Sequence, residues 1–217
     1  MTGVESLYPF LYADKVDLAA VLAQVSASTV AKAREITELR QRVLAESGER
    51  LARCAADMAE RFAAGGRLLS FGNGGSSTDA QEVAGLFLSP GDGFRPLPAL
   101  CLTNDIAVVT ALTNDIGFDV VFARQLAALS RPGDIAVGLS TSGNSANLLA
   151  AFDEAARRGL LTVGVAGYDG GRMGELDSID HLFTVPSASV HRVQEAQTTV
   201  YHVLWELVLD RLRGDTQ

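Results

Sequence analysis

A run of hydroxyl-bearing residues from Ser140 to Ser145 has the composition of a phosphate-binding loop. Four of its six side chains are hydroxyls, and the other two positions hold a glycine and an asparagine. The apolar residues 135–139 precede the run and a helical pattern follows it, which predicts a strand, a turn and a helix. Backbone N–H groups at a helix start and the positive end of the helix dipole favour an anion. We therefore expect Ser145 to cap this helix and the loop to bind a phosphate group.

An ordinary polar turn before a capped helix is the alternative interpretation of this loop. A cap needs one hydroxyl, whereas this loop supplies four and has no bulky side chain that would block a ligand. The composition therefore favours a bound anion over a plain turn.

A second loop, residues 72–78, has the sequence Gly-Asn-Gly-Gly-Ser-Ser-Thr. It invites comparison with the dinucleotide-binding fingerprint, but Ser77 stands at the third glycine, and no acidic residue ends a second strand about twenty residues later. A flavin is the other cofactor that a hydroxyl-rich loop suggests. Flavodoxins place such a loop after their first strand and flank the ring with aromatic residues, which make up only 6% of this chain. We therefore expect neither cofactor.

Strand and helix patterns alternate from residue 67 onward, which predicts a parallel sheet covered by helices on both faces. Ligands of such sheets bind beyond the carboxyl ends of the strands, where both hydroxyl-rich loops would lie. The predicted strands are Arg67–Phe71, Ala99–Leu102, Asp134–Leu139, Leu161–Ala166 and His181–Val185.

Helical patterns also occupy both ends of the chain. One runs from about Thr29 to Ala64, with an irregularity expected at Ser47-Gly48, and a shorter one covers residues 16–25. The last runs from about Ser189 to Arg213. We divide the chain into an N-terminal helical arm, residues 1–64, and a domain of residues 65–217. The apolar surface of these helices is larger than one sheet can cover. We therefore expect a homo-oligomer, and among the oligomers a tetramer.

Composition excludes several classes of function. A formal charge of -8 disfavours a nucleic-acid partner, since phosphates would be repelled. No apolar run approaches the length of about eighteen residues that a membrane span needs, and residues 1–10 lack the pattern of a secretion signal. We expect a cytoplasmic protein with no membrane partner, in which Cys54 and Cys101 are buried and reduced.

Five motifs, taken in order, resemble the SIS (sugar isomerase) domain family, and their spacing resembles its phosphoheptose isomerase branch. The resemblance extends from about residue 30 to the C-terminus. The motifs are Gly72-Asn73-Gly74-Gly75-Ser76 with Asp79-Ala80-Gln81, Asn114-Asp115 with Gly117-Phe118, Ser140-Thr141-Ser142-Gly143-Asn144-Ser145, Asp169-Gly170-Gly171 and Arg192-Val193-Gln194-Glu195.

The resemblance implies an α/β fold, a flavodoxin-like three-layer SIS domain with a five-stranded parallel sheet. It further implies a homotetramer with sugar-phosphate sites at subunit boundaries. Asn73 and Asp105 are implied to lie near the sugar. The implied phosphate contacts are Ser76, Ser140, Thr141, Ser142 and Ser145.

The chain departs from the heptose isomerases in the helix after the first loop. Those enzymes carry a histidine and, four residues later, a catalytic glutamate, and Glu82 and Leu86 stand at these positions. On the last helix, Gln194 and His202 match the family's sugar-site glutamine and acid histidine. Further departures are Ser89-Pro90, where the family has a Gly-Arg-aromatic signature, and His191, where it has an aspartate.

Two functions follow from this comparison. The first is aldose-ketose isomerisation of a phosphosugar, with Glu82 as a base relocated by one helical turn and His202 as the acid. The second is a non-catalytic module that binds a sugar phosphate or assembles with a partner protein, since Leu86 replaces the catalytic glutamate. A second branch that resembles this domain also lacks this glutamate and serves to assemble the bacterial replication initiator.

No cofactor is expected at this site. Zinc held by Glu82, Gln194 and His202 is the alternative, as in some heptose isomerases. Glutamine is a poor zinc ligand, and a carboxylate prefers harder ions. We therefore expect no metal.

Overall fold

A computed structural model describes residues 18–214 of the chain. Its helices are α1 (Leu18–Ala63), α2 (Gly75–Leu88), α3 (Ile106–Ile116), α4 (Val121–Leu129), α5 (Ala146–Arg157) and α6 (Val190–Gly214). Its strands are β1 (Leu68–Gly72), β2 (Ala99–Cys101), β3 (Ile135–Ser140), β4 (Leu161–Gly167) and β5 (His181–Val185). Short 3-10 turns cover Phe118–Val120 and Gly171–Glu175.

The five strands form one parallel sheet with the order β2-β1-β3-β4-β5. This confirms the α/β fold of flavodoxin-like order, and each strand begins and ends within one residue of its predicted span. All residues of β3 and β4 are buried, as expected for strands covered on both faces. Because β1 pairs directly with β3, with Gly72 opposite Leu139, the two hydroxyl-rich loops leave the sheet side by side.

Aromatic packing against the sheet depends on a glycine in β3. The Phe71 ring lies 5.3 Å from that of Phe152 and 5.5 Å from that of Phe122. A Cβ atom at Gly138 would overlap the rings of Phe71 and Phe152. The glycine therefore lets α5 pack closely on the strand that carries the phosphate-binding loop.

Helix α1 is continuous, so the irregularity expected at Ser47-Gly48 is wrong. A side chain at Gly48 would meet only open space and the tip of Leu44, and Ser47 is buried, so the helix passes both residues without a break. The helix ends before Gly65, whose φ of +86° suits the left-handed residue after a helix.

By its contacts the described chain divides into two units, residues 18–38 and 39–214. The first unit is helical and exposes Leu18, Leu22 and Val25. Of the short helix predicted over residues 16–25, the part from Leu18 onward belongs to α1, and residues 16 and 17 lie outside the described residues.

In the second unit, α1 contributes the buried residues Leu39, Val43, Leu51, Met58 and Phe62. Cys54 and Cys101 are both buried and free, as predicted. Between residues 18 and 214, no helix has the length and apolar character needed to cross a membrane.

Candidate functional site

A cavity of about 60 Å³ lies where the loops after β1 and β3 meet. Six of the predicted phosphate and sugar residues line it, so the structure brings together side chains that are up to 72 positions apart (73 to 145). Most of the polar lining is hydroxyl, which suits the oxygen atoms of a phosphate. The lining residues are Asn73, Ser76, Leu139, Ser140, Thr141, Ser142 and Ser145.

The backbone of the second loop is held tightly. The hydroxyl of Ser140 accepts a hydrogen bond from the backbone N–H of Gly143 at 3.0 Å, and Ser140 is buried. Gly143 has a φ of +67°, and a Cβ atom there would collide with the carbonyl of Gly170. Only glycine fits this position, because both the backbone angle and the neighbouring loop exclude a side chain.

Ser145 stands at the N-cap position of α5, but the prediction that its side chain caps the helix is wrong. No α5 backbone N–H among the described residues donates to its hydroxyl. Instead the carbonyl of Ser145 accepts from the N–H groups of Leu148 and Leu149, at 3.0 and 3.2 Å. The Ser145 hydroxyl is therefore available to a ligand in the cavity.

Two residues that sequence reasoning missed support the cavity. Asn147, which is buried, exchanges two side-chain hydrogen bonds with Asn73, at 2.9 and 3.0 Å. Gln197, also buried, donates to the carbonyl of Ser140 at 2.8 Å and to that of Val165 at 3.3 Å. The only sequence signal for either residue is a polar side chain on the apolar face of a helix.

Asp105 does not line the cavity. It caps α3, and its Oδ1 accepts from the N–H groups of Ala107 and Val108 at 3.0 and 3.1 Å. It lines a separate groove of about 670 Å³ beside the edge strand β2, together with Asn104 and Arg124.

Glu82 and His202 come together between α2 and α6. The Oε1 atom of Glu82 lies 3.6 Å from Nε2 of His202, and its Oε2 accepts a hydrogen bond of 2.6 Å from the Tyr201 hydroxyl. The Nδ1 atom of His202 lies 2.9 Å from the carbonyl oxygen of Thr198, which favours a proton on Nδ1. The imidazole Nε2 and one carboxylate oxygen therefore face each other.

Gln194 lies on α6 two turns before His202, and its side chain packs against the first residue of α2, Gly75. A Cβ atom at Gly75 would collide with its amide, so glycine there makes room for this side chain. Gln194 also lies near the Asp79 carboxyl and lowers its pKa. Gln194 thus contacts α2 at its first residue, Gly75, whereas His202 contacts Glu82, about two turns further along that helix.

Two titratable groups in this region have shifted pKa values. Burial is the main cause of the raised pKa of Asp79; the Gln194 hydrogen bond lowers it and the charge of Glu82 raises it further. Burial also raises the pKa of Tyr201, followed by its hydrogen bond to Glu82. Tyr201 therefore keeps its proton at neutral pH and acts as a donor.

The positions at which the chain departs from the heptose isomerases lie around this pair. Leu86 is partly buried one turn beyond Glu82 on α2, and Pro90 is buried just after that helix. His191 is exposed at the start of α6. Glu82 is thus the carboxylate that α2 presents next to His202.

The residues considered for zinc do not fit a protein zinc site. Among residues 18–214 no group of three or more histidine, cysteine, aspartate or glutamate side chains could hold a metal ion. Of the three residues considered, only Glu82 and His202 are strong ligands that face each other, 3.6 Å apart. Zinc sites in proteins use at least three protein ligands.

The sheet order and the paired loops coincide with a sequence match. Residues 33–167 match the SIS domain. The chain belongs to the SIS domain family. This confirms the family that the loop motifs predicted, and the match covers both loops that form the cavity.

Several relatives of this SIS domain are phosphoheptose isomerases. The phosphoheptose isomerase of Desulfovibrio desulfuricans is 46% identical over 178 residues, which cover 82% of this chain and 84% of the relative. The phosphoheptose isomerase of Roseiflexus sp. is 42% identical over 172 residues, which cover 79% of this chain and 86% of the relative. The structure of the phosphoheptose isomerase of Neisseria gonorrhoeae aligns with a TM-score of 0.74 at 34% identity, over 86% of this chain and 98% of that chain.

Proposed function

We propose that this SIS domain protein is an aldose-ketose isomerase of a phosphorylated sugar, similar to the phosphoheptose isomerases. The observation that carries the proposal is the Glu82–His202 pair on α2 and α6, because the loop end of α2 also forms the hydroxyl-lined cavity. Ser76 and Glu82 are six residues apart on α2, which places them about 9 Å apart along the helix axis. A sugar whose phosphate occupies the cavity would extend along α2 toward the pair.

The phosphate is held by hydroxyl groups and by the start of α5. Hydrogen bonds to a charged phosphate oxygen are stronger than neutral ones, and the helix dipole adds to them. Asn73 and Gln194 are the proposed contacts to the sugar, whereas Asp105 caps α3 and lines a separate groove, so it is not included. The proposed phosphate ligands are Ser76, Ser140, Thr141, Ser142 and Ser145.

Isomerisation moves one proton between neighbouring carbons and one between their oxygens. In the proposed mechanism Glu82 removes the proton from the carbon next to the carbonyl. His202 starts with a proton on both ring nitrogens and gives the Nε2 proton to the carbonyl oxygen, which yields an enediol. His202 then takes the proton of the other hydroxyl, and Glu82 returns its proton to the former carbonyl carbon. The enzyme is unchanged at the end, and no metal is part of any step.

A second candidate function is supported by Leu86. This residue stands where the heptose isomerases have their catalytic glutamate, and an apolar side chain cannot replace a base. The protein would then bind a sugar phosphate, or a partner protein, without turnover.

Turnover of a panel of three-carbon to seven-carbon sugar phosphates separates the two functions. We expect the wild type to be active, Glu82→Gln to lose activity by at least about 100-fold, and Glu60→Gln to behave as wild type. Glu60 is an exposed carboxylate on α1, so its variant controls for the lost charge. A wild type that is inactive on the whole panel, combined with heptose isomerisation by Leu86→Glu, would instead identify a binding protein.

Assembly, domain organisation and location are part of this proposal. An apolar groove of about 180 Å³ between α1 and α6 includes Leu44, Leu51 and Val203, which supports a homotetramer whose subunits cover these faces. We also propose a helical arm of residues 1–64, a sugar-phosphate domain of residues 65–217 and a cytoplasmic location. Sedimentation that shows a monomer at all concentrations would contradict the assembly.

A further inference from the structure

The carboxylate of Glu82 has a separate neighbour for each oxygen. Tyr201 donates to Oε2 at 2.6 Å, and Nε2 of His202 lies 3.6 Å from Oε1. The Glu82 side chain is 47% exposed, so packing alone does not restrict it to one rotamer. The Tyr201 hydrogen bond is therefore the contact that selects its orientation.

Tyr201 is itself fixed in place. The residue is buried, and its ring stacks on that of His202 with the centroids 5.1 Å apart. Its hydroxyl also lies 3.3 Å from Oγ1 of Thr198. The carbonyl oxygen of the same threonine lies 2.9 Å from Nδ1 of His202. Thr198, Tyr201 and His202 thus share one face of α6, and together they orient both members of the Glu82–His202 pair.

We propose that Tyr201 is a positioning residue for Glu82, an inference that rests on the proposed isomerase function. By holding Oε2, Tyr201 leaves Oε1 as the oxygen that removes the substrate proton. A base that is already oriented reacts faster, because its side chain loses less conformational entropy when the transition state forms. The hydrogen bonds of its hydroxyl among the described residues go to Glu82 and Thr198, neither of which is a proposed phosphate ligand. We therefore expect the hydroxyl to affect the chemical step more than the binding of substrate.

The alternative is that Tyr201 only fills space between α2 and α6. Tyr201→Phe tests the two roles, because it removes the hydroxyl and retains the ring and its stacking on His202. We expect kcat to fall by about 10- to 100-fold, since Glu82 is no longer held in one orientation, while KM stays within about twofold.

The same substitution in a Glu82→Gln background provides the second readout. If Tyr201 acts through Glu82, then Tyr201→Phe lowers the residual rate of Glu82→Gln by less than about twofold. Equal losses in both backgrounds, or a raised KM with unchanged kcat, would show a structural role and overturn the inference. An active wild type with an equally active Tyr201→Phe overturns the inference alone. A wild type inactive on every sugar phosphate overturns the proposed function and the inference with it.

Discussion

The side-chain amides of Asn73 and Asn147 hydrogen-bond to each other in both directions, at 2.9 and 3.0 Å. Asn73 belongs to the loop after β1 and Asn147 to the first turn of α5, so this pair joins the two halves of the phosphate cavity. An amide that gives and receives one bond with the same partner has a fixed orientation. The pair therefore holds the remaining donor and acceptor capacity of Asn73 at the cavity.

Replacement of Asn147 by alanine is expected to weaken both stability and substrate binding. The Asn73 amide would lose two hydrogen bonds in a partly buried position, which corresponds to about 1–3 kcal/mol in the free energy of unfolding. We expect KM for the substrate to rise several-fold, as measured by initial rates, and the midpoint of urea denaturation to fall. Gln24→Ala removes an exposed amide on α1, outside the motifs and the cavity, and should change neither quantity. A destabilised Asn147→Ala with an unchanged KM would show that the pair is only structural.

The double variant Ser142→Ala with Ser145→Ala tests the phosphate ligands with little effect on folding. Ser142 accepts only a long 3.3 Å bond from the N–H of Asn144, and Ser145 makes no side-chain cap among the described residues of α5. Each lost bond to a phosphate oxygen corresponds to about 1.5–3 kcal/mol, so binding should weaken by at least about 100-fold.

The measurement for this double variant is the rise in melting temperature on addition of a sugar phosphate. This ligand-induced rise should disappear in the double variant, while its melting temperature without ligand stays within a few degrees of the wild-type value. Ser178→Ala with Ser187→Ala makes the same chemical change at other loops, and should keep the full ligand effect. A ligand effect that persists in Ser142→Ala with Ser145→Ala would place the phosphate elsewhere.

Asp79 gives the protein a stability that depends on pH. Burial raises its pKa, so the folded state binds this proton more tightly than the unfolded state. The contribution of Asp79 to the free energy of unfolding is thus greatest at pH values below its pKa in the unfolded state, about 3.9. This contribution is lost as the pH rises through the pKa of Asp79 in the folded state. Asp79→Asn keeps the shape of the side chain without the charge.

We therefore expect Asp79→Asn to raise the melting temperature at neutral pH by a few degrees, and to raise it less near pH 4. Thermal unfolding of both proteins across this range is the measurement. Asp92→Asn, at an exposed loop position, should show no such pH-dependent gain. A variant that is less stable than wild type at neutral pH would mean that the ionised carboxylate stabilises the fold.

The sequence determined the fold class and the place of the phosphate cavity. Apolar strand patterns alternate with helical ones, and a parallel sheet follows because its strands need crossover helices on both faces. A polar loop directly after a buried strand must lie at the carboxyl edge of that sheet, so the run from Ser140 to Ser145 could be placed before any contact was known. Strand ends were likewise predicted to within one residue, because burial and local backbone preference both act over a few neighbouring positions.

The tertiary structure decided which side chains meet. Asn73 and Asn147 are 74 positions apart, and Glu82 and Tyr201 are 119 apart. No local sequence pattern can predict either contact. The Ser145 side chain was predicted to cap α5 from residue type alone, but the rotamer that a hydroxyl adopts depends on what surrounds it. The unbroken course of α1 through Ser47-Gly48 has a similar cause, since packing along the helix outweighs the weak local preference of a single glycine. Contacts between distant residues depend on how helices pack across the sheet, and that packing is a property of the whole chain.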